Sequence, residues 1–564
     1  MTTVGQDGAT VARPSRTLTL GRALQAPTMM ADGLAVGVLV IVCIVALTTF
    51  RAYGLGWDDY THSQMGELLL RLYGSGFKDQ RALSFVNLYM YGGGFDMLAA
   101  LVAKVLPFDL FETRRLVGAA VGVVGLIAAW RTARRLGGPR AGFLAIVLLA
   151  ACPLYFGHMF MNAKDAPFAT AMAILAYGFV RLMQEYPTPQ PSSIAWFGLG
   201  LGLSVGSRVL GDLSAISGAG ALALTFGAEW RSLGLSTAAR RIGRFILVLL
   251  PGLVLAYLIM GLIWPWSIVS FDNPLRALEY FSRFFEKPWR ELFDGVRIPT
   301  IDMPRSYVPT LLALTLPEIF LLLSLGGVVA TLAACFRRTI TISTRASYVY
   351  LLLAALAPVA ITVVERPAMY NGLRHFVFIL PPLAVLAALA GIWLLDWLVA
   401  RISASPRVIL TASAAVLAIG LAFPVVAMTR LHPYEYAYYN SLVGGAPGAR
   451  PLYMLDYWGL SFKQAGEELH AWLAERGETP PHGQWKIAVC GPHPPAHVAL
   501  GSQFDLTWEP KGADFALMLG EFYCAQYDAP VVAEVKRDGV VFARVYDLRG
   551  RSESNIFTTP PLGQ

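Results

Sequence analysis

Apolar runs of about twenty residues recur along this chain, each long enough for an α-helix to cross the ~30 Å hydrocarbon core of a bilayer. A segment in lipid must satisfy its own backbone hydrogen bonds, so such a chain folds as a bundle of membrane-spanning helices. The runs fall near residues 31–50, 116–134, 141–159, 166–183, 193–207, 210–228, 245–268, 310–335, 346–364, 376–398 and 408–429, which predicts about eleven spans. Composition agrees, because 55% apolar and 15% charged residues in 564 exceed what a water-soluble chain of this length buries. The net charge of +8 does not indicate nucleic acid, since the arginines lie in short loops between spans. Five cysteines are too few for a disulfide framework, and only Cys490 and Cys524 fall in a segment that reads as soluble.

The arginines also orient the bundle. With residues 1–30 as a cytoplasmic tail, the inner loops carry Arg131, Arg134, Arg135, Arg140, Arg181, Arg231, Arg240, Arg241, Arg244, Arg337, Arg338, Arg345, Arg401 and Arg407. The first run is retained, because Arg51 and not a small-residue cleavage site follows it. The stretch Phe95–Leu110 is interrupted by Asp96, Lys104 and Pro107 and reads as an interfacial helix. The expected plan is a transmembrane domain over 31–429 with long outer loops 51–113 and 269–309, followed by an outer α/β domain over 430–564. That domain contains a helix at Ser461–Glu475 and strands at Trp485–Val489, Phe515–Leu519 and Val531–Val535, with an Asp538-Gly539 turn into Val540–Tyr546. A Cys490–Cys524 disulfide fits an oxidising compartment. The aromatics of Leu431–Gly445, with Trp264 and Trp266, read as a belt at headgroup depth.

Three outer constellations carry chemistry. Asp58 and Asp59 stand together just after the first span, with His62 three to four residues on and so on the same helical face. A paired carboxylate in an apolar surround has one pKa raised, which suits a general base. In the second, His158, Asn162, Lys164 and Asp165 crowd a turn between two runs; Asp165 with Pro167 reads as a helix cap, which leaves the other three unexplained. Lys164 can meet a phosphate there. In the third, Arg374 and His375 open a late span, and Arg208 opens another on the same side. A guanidinium at that depth can snorkel, or clamp a phosphate bidentately.

Taken in order, the Asp58-Asp59 pair, the His158-to-Asp165 turn, Arg374-His375 and the outer tail resemble the GT-C superfamily of polyprenyl-phosphate-sugar-dependent glycosyltransferases. The nearest branch is that of the protein O-mannosyltransferases and aminoarabinose lipid A transferases. The segment Asp302–Pro309, with Thr315, Pro317 and Glu318, resembles the family's outer loop leading into a span, although Arg305-Ser306 replaces a frequent Trp-Tyr. The resemblance implies an inverting transfer of a sugar from a polyprenyl-phosphate donor to an acceptor hydroxyl at the outer face of a bacterial inner membrane. Asp58, Asp59 and Asp165 would be catalytic, with Asp58 or Asp59 as the base. Arg374, His375, Lys164 and Arg208 would bind the donor phosphate, supported by His62, His158 and Asn162. The acceptor is a lipid, a glycan or a protein, and no nucleic acid is involved. The resemblance fixes no cofactor; a divalent cation at Asp58, Asp59 and Asp165 is left open, and no Cys or His spacing asks for one. A transporter or flippase of the lipid-linked sugar is the alternative, and it requires polar groups in mid-span.

Overall fold

The computed structural model describes residues 16–282, 289–551 and 557–559. Among them nine helices are long and apolar enough to cross a membrane: Met29–Ala52, Leu110–Ala150, Asp165–Gln184, Val209–Leu233, Leu235–Ile263, Glu318–Cys335, Ile342–Glu365, Arg374–Arg401 and Pro406–Leu431. The protein is therefore a multi-pass helical membrane protein, and the count of eleven is not reproduced. Leu110–Ala150 absorbs most of two sequence runs, its backbone leaving helical geometry at Gly138 (φ 78°) just before Pro139. Pro191–Ser207 is a helix of only 17 residues. The run 310–335 is broken into Tyr307–Thr315 and Glu318–Cys335, because Pro317 cannot continue the first helix and opens the second. Helix Gly94–Ala103, at ten residues about 15 Å long, is too short to span.

Helix packing follows side-chain size. Asp165–Gln184 is enclosed on nearly every face, whereas Pro406–Leu431 presents Val416, Ile419 and Phe423 outward, as lipid-facing residues do. Pro191–Ser207 packs tightly on Asp165–Gln184: a Cβ on Gly200 would lie 2.4 Å from the Leu175 backbone.

One end of the bundle carries the loops and a C-terminal sheet domain. Strands β1 (Arg290–Phe293) and β2 (Val296–Pro299) form a hairpin whose turn residues Asp294 and Gly295 both have positive φ. The domain holds β3 (Trp485–Cys490), β4 (Phe504–Thr507), β5 (Phe515–Leu519), β6 (Gln526–Tyr527), β7 (Val531–Arg537), β8 (Val540–Asp547) and β9 (Phe557–Thr559). Its five-stranded sheet has the order β4-β3-β5-β8-β7, parallel through β4, β3 and β5 and antiparallel beyond. Helix Phe462–Arg476 packs on this sheet. Asp538 and Gly539, both at positive φ, make the β7–β8 turn that their sequence predicts.

A disulfide joins Cys490 to Cys524, 34 residues apart. Replacing both cysteines with Ala is expected to lower stability by about 3–4 kcal/mol through lost loop closure, read as a fall in the thermal unfolding midpoint of the detergent-solubilised protein.

The aromatics after the last span are not an interfacial belt. Tyr434, Tyr436, Tyr438 and Tyr439 are each under 7% exposed, because the sheet domain packs over them. Tyr434 stacks on Phe542, Tyr439 stacks on Tyr453, and the Tyr436 hydroxyl donates to Asp456. Trp264 is buried as well, its indole N–H donating to the Tyr89 carbonyl at 2.9 Å.

Candidate active site

The first loop separates its two acids. Asp59 turns inward and is 2% exposed; its Oδ2 accepts the Gly56 amide at 2.9 Å and the Arg115 guanidinium at 2.5 Å. Arg115 also donates to the carbonyls of Gly54 (2.7 Å) and Phe160 (3.2 Å), so one ion pair fixes the loop that carries Asp58. Behind it, Arg114 reaches Asp59 at 3.6 Å and Asp96 at 2.8 Å, and Asp96 takes Nδ1 of His62 at 2.6 Å. The His62 imidazole thus belongs to a buried network with Asp96 rather than to the side chain of Asp58 or Asp59, while its backbone amide donates to the Asp58 carbonyl at 3.0 Å. Asp58 faces the other way, its side chain 35% exposed, with Lys164 Nζ 3.0 Å from Oδ2.

Removing one partner of a buried pair costs about 3–5 kcal/mol, because the other charge remains enclosed. Asp59→Ala leaves Arg115 without its carboxylate, so a loss of that size in unfolding stability is expected in a detergent melt, with activity falling as the loop loosens.

In the second turn the Asp165 side chain does not cap the helix, whose N-cap position is Lys164; Asn162, at the end of the preceding helix, ties the turn instead. Its Oδ1 accepts the backbone amides of Lys164 (3.0 Å) and Asp165 (2.7 Å). The Asp165 carboxylate is thereby released from the role read in the sequence. Arg208 lies 2.7 Å from its Oδ1 and Arg374 3.5 Å from its Oδ2, while Asn162 Nδ2 donates to Oδ2 at 2.9 Å. The same amide nitrogen stands 2.9 Å from His158 Nδ1, and His158 Nε2 is 3.3 Å from the Tyr457 hydroxyl. This polar chain links the turn to the segment entering the C-terminal domain.

Aromatic rings hold the cations. Arg374 lies 4.8 Å from the Tyr370 ring and 5.3 Å from the Trp458 ring. The Tyr91 ring has Lys164 at 5.0 Å and Arg208 at 5.9 Å, which brings the two cations to one place. Tyr91 reaches them because the next residue is glycine: a Cβ on Gly92 would lie 1.5 Å from the Gly206 carbonyl oxygen. His375 packs edge-on against Tyr370 at 5.0 Å.

The structure therefore gathers Asp58, Lys164, Asp165, Arg208 and Arg374 at one site, with His158, Asn162 and His375 around it. Burial raises the pKa of Asp58, but Lys164, Arg374 and His62 outweigh it, so its carboxyl is held below the usual range. The three carboxylates do not converge as a metal site, because Asp59 and Asp165 are turned into guanidinium groups that would repel a cation. Among the described residues no three His, Cys, Asp or Glu side chains group as metal ligands.

Several site residues went unread in the sequence: Tyr91, Asp96, Arg114, Arg115, Tyr370, Tyr457 and Trp458. Arg114-Arg115 left a signal, since two adjacent arginines on the outer side run against the charge bias of the loops.

Residues 94–264 match the family model for dolichyl-phosphate-mannose-protein mannosyltransferase. The match includes Asp165 and Arg208 and leaves Asp58 and Arg374 outside it. No curated protein matches the sequence. Among solved structures, ArnT from Cupriavidus metallidurans in the apo state is similar at 16% identity, over 91% of this chain and 97% of that one, with TM-score 0.47. The same protein bound to undecaprenyl phosphate is similar at 16% identity, over 92% and 98%, with TM-score 0.46. The archaeal oligosaccharyltransferase AglB from Archaeoglobus fulgidus, with an inhibitory peptide and a dolichol-phosphate, gives 12% identity, 93% and 75% coverage and TM-score 0.46.

Proposed function

We propose that this chain is an integral membrane glycosyltransferase of the GT-C class, moving a sugar from a polyprenyl-phosphate carrier to an acceptor hydroxyl with inversion at the anomeric carbon. The observation that carries the reading is the opposition of one partly exposed carboxylate, Asp58, to the cations Lys164, Arg208 and Arg374. The matched mannosyltransferase family is consistent with it.

The donor is a phosphodiester with one negative charge, and cleavage at the sugar leaves a monoester with a second. Cations held in place before reaction stabilise that developing charge more than the ground state. Asp58 and Asp165 balance these cations within the protein. A donor phosphate competes for Lys164, which frees Asp58 to accept the acceptor's hydroxyl proton. That oxygen attacks C1 opposite the departing phosphate, in one displacement. No general acid is needed, because phosphate is a good leaving group.

The domain-bearing face is assigned to the outside of a bacterial inner membrane, with the N-terminus in the cytoplasm. Two features support this: the arginine-rich loops at the opposite face, and the Cys490–Cys524 disulfide, which belongs in an oxidising compartment. The acceptor is a lipid, glycan or protein reached from that side. Transport is disfavoured because the charged groups cluster where the spans meet the domain, not at mid-bilayer.

The test is transfer of labelled sugar from a panel of polyprenyl-phosphate donors to endogenous acceptors in membranes. Label appearing in a lipid, glycan or protein product supports the reading and names the acceptor class. Folded protein that consumes no donor in the panel overturns it.

A further inference from the structure

A cavity lies between the β1–β2 hairpin, the segment after the last span and the C-terminal sheet domain. Its volume is about 320 Å3, at the lower end of small-ligand sites, which run from about 300 to 1,000 Å3. Two arginines from different elements line it, Arg297 from β2 and Arg450. Neither has a carboxylate within ion-pair distance among the described residues. Arg297 stands over the Phe522 ring at 5.7 Å, and Arg450 donates to the Gly520 carbonyl at 3.4 Å.

The acids of the cavity do not neutralise them. Asp456 is saturated: the Tyr436 and Ser461 hydroxyls and the amides of Leu460 and Ser461 all donate to it. Glu521, 8% exposed, accepts the Leu455 amide at 3.0 Å. Burial, helped by Asp456 and Glu291, pushes its carboxyl up to about 8, so at neutral pH it keeps its proton and can donate. The cavity thus offers two guanidinium groups without a carboxylate partner among the described residues and a carboxylic acid, with Tyr453 and Phe522 also in its lining. Such a set suits a ring rich in hydroxyls that bears one anionic group.

We propose that this cavity binds an anionic monosaccharide unit, a sugar carrying a carboxylate or a phosphate, at a place separate from the Arg374, Arg208 and Lys164 cluster. The unit belongs to the acceptor, an assignment that rests on the glycosyltransferase reading; the binding itself does not. The two sites share a wall, because Asp456 on the cavity side is followed by Tyr457 and Trp458, which touch His158 and Arg374. An acceptor unit held in the cavity therefore lies on the domain side of that wall.

The experiment uses the full chain in detergent and isothermal titration calorimetry with glucuronic acid, galacturonic acid, glucose 1-phosphate and glucose. The acidic sugars are expected to bind at least tenfold more tightly than glucose. The Arg297→Gln, Arg450→Gln double variant, whose side chains lie outside the core, is expected to weaken glucuronate at least tenfold with an unchanged melting temperature. Arg374→Ala is expected to leave glucuronate binding unaltered. Equal binding of glucuronate and glucose, or loss with Arg374→Ala alone, overturns the site. For its source, kcat/KM is measured with acceptors that bear or lack an acidic sugar. A selective loss for the acidic acceptor in the double variant, with the neutral acceptor unaffected, assigns the sugar to the acceptor. Equal kcat/KM in the double variant and wild type for the acidic acceptor overturns that assignment, while the titration still reports on the cavity.

Discussion

Replacing Asp58 with Asn is expected to cut sugar transfer by about 10²–10⁴-fold, the contribution of a positioned general base, while the protein remains folded. Asn keeps the shape and can still meet Lys164 through its carbonyl, so only the capacity to take a proton is lost. The fold should survive because Asp58 is the partly exposed acid of the pair; Asp59, which is 2% exposed and holds the loop, is the acid whose loss unfolds. The pH profiles carry a second, independent signature. In the free enzyme Lys164, Arg374 and His62 outweigh burial and keep Asp58 ionised below the usual carboxylate range. The base is then competent at every mildly acidic pH, and kcat/KM should show no acid limb from it above about pH 4. Bound phosphate offsets the charges of Lys164 and Arg374, so the Asp58 pKa rises in the complex. The acid limb of kcat should therefore lie at higher pH than that of kcat/KM. Asp58→Asn activity within threefold of wild type would exclude Asp58 as the base.

Hydropathy made the bundle legible because a span is a local property: twenty apolar residues declare themselves without reference to anything distant. What it missed was the break inside the continuous apolar run 310–335, at Pro317, where backbone geometry and not polarity ends the helix; the kink at Gly138-Pro139 falls in the loop it placed between the runs 116–134 and 141–159. The sheet domain was legible through its alternating strands and the Asp538-Gly539 turn. The site was legible only as a set of residues. Their partners are non-local: Asp59 meets Arg115 across 56 residues, Asp165 meets Arg374 across 209, and Tyr457 meets His158 across 299. Spacing along a helix suggested that His62 served Asp58 and Asp59, and tertiary packing gave it to Asp96 instead. The aromatics of residues 434–439 misled for a related reason. Tyrosine suits both headgroup depth and a covered interface, and the covering domain lies further along the chain.

Arg374→Ala is expected to lower kcat by about 10²–10³-fold, the loss typical when one preorganised donor to a developing anion is removed. Donor affinity should fall less than kcat, because the phosphodiester carries one charge in the ground state and the departing phosphate gains another. Arg374→Lys should recover only part of the rate, since an ammonium restores the charge without the planar fork that pairs with two phosphate oxygens. Lysine would also lose the stacking that fixes Arg374 near the Tyr370 and Trp458 rings, at 4.8 and 5.3 Å. The substitution should be tolerated structurally, because Asp165 keeps its shorter contact, 2.7 Å to Arg208, when the 3.5 Å contact to Arg374 is removed. Single-turnover measurements with a polyprenyl-phosphate sugar separate the cases. A fall confined to donor binding, with the chemical step at the wild-type rate, would show that Arg374 holds the ground-state phosphate only, and would transfer the leaving-group role to Arg208 and Lys164.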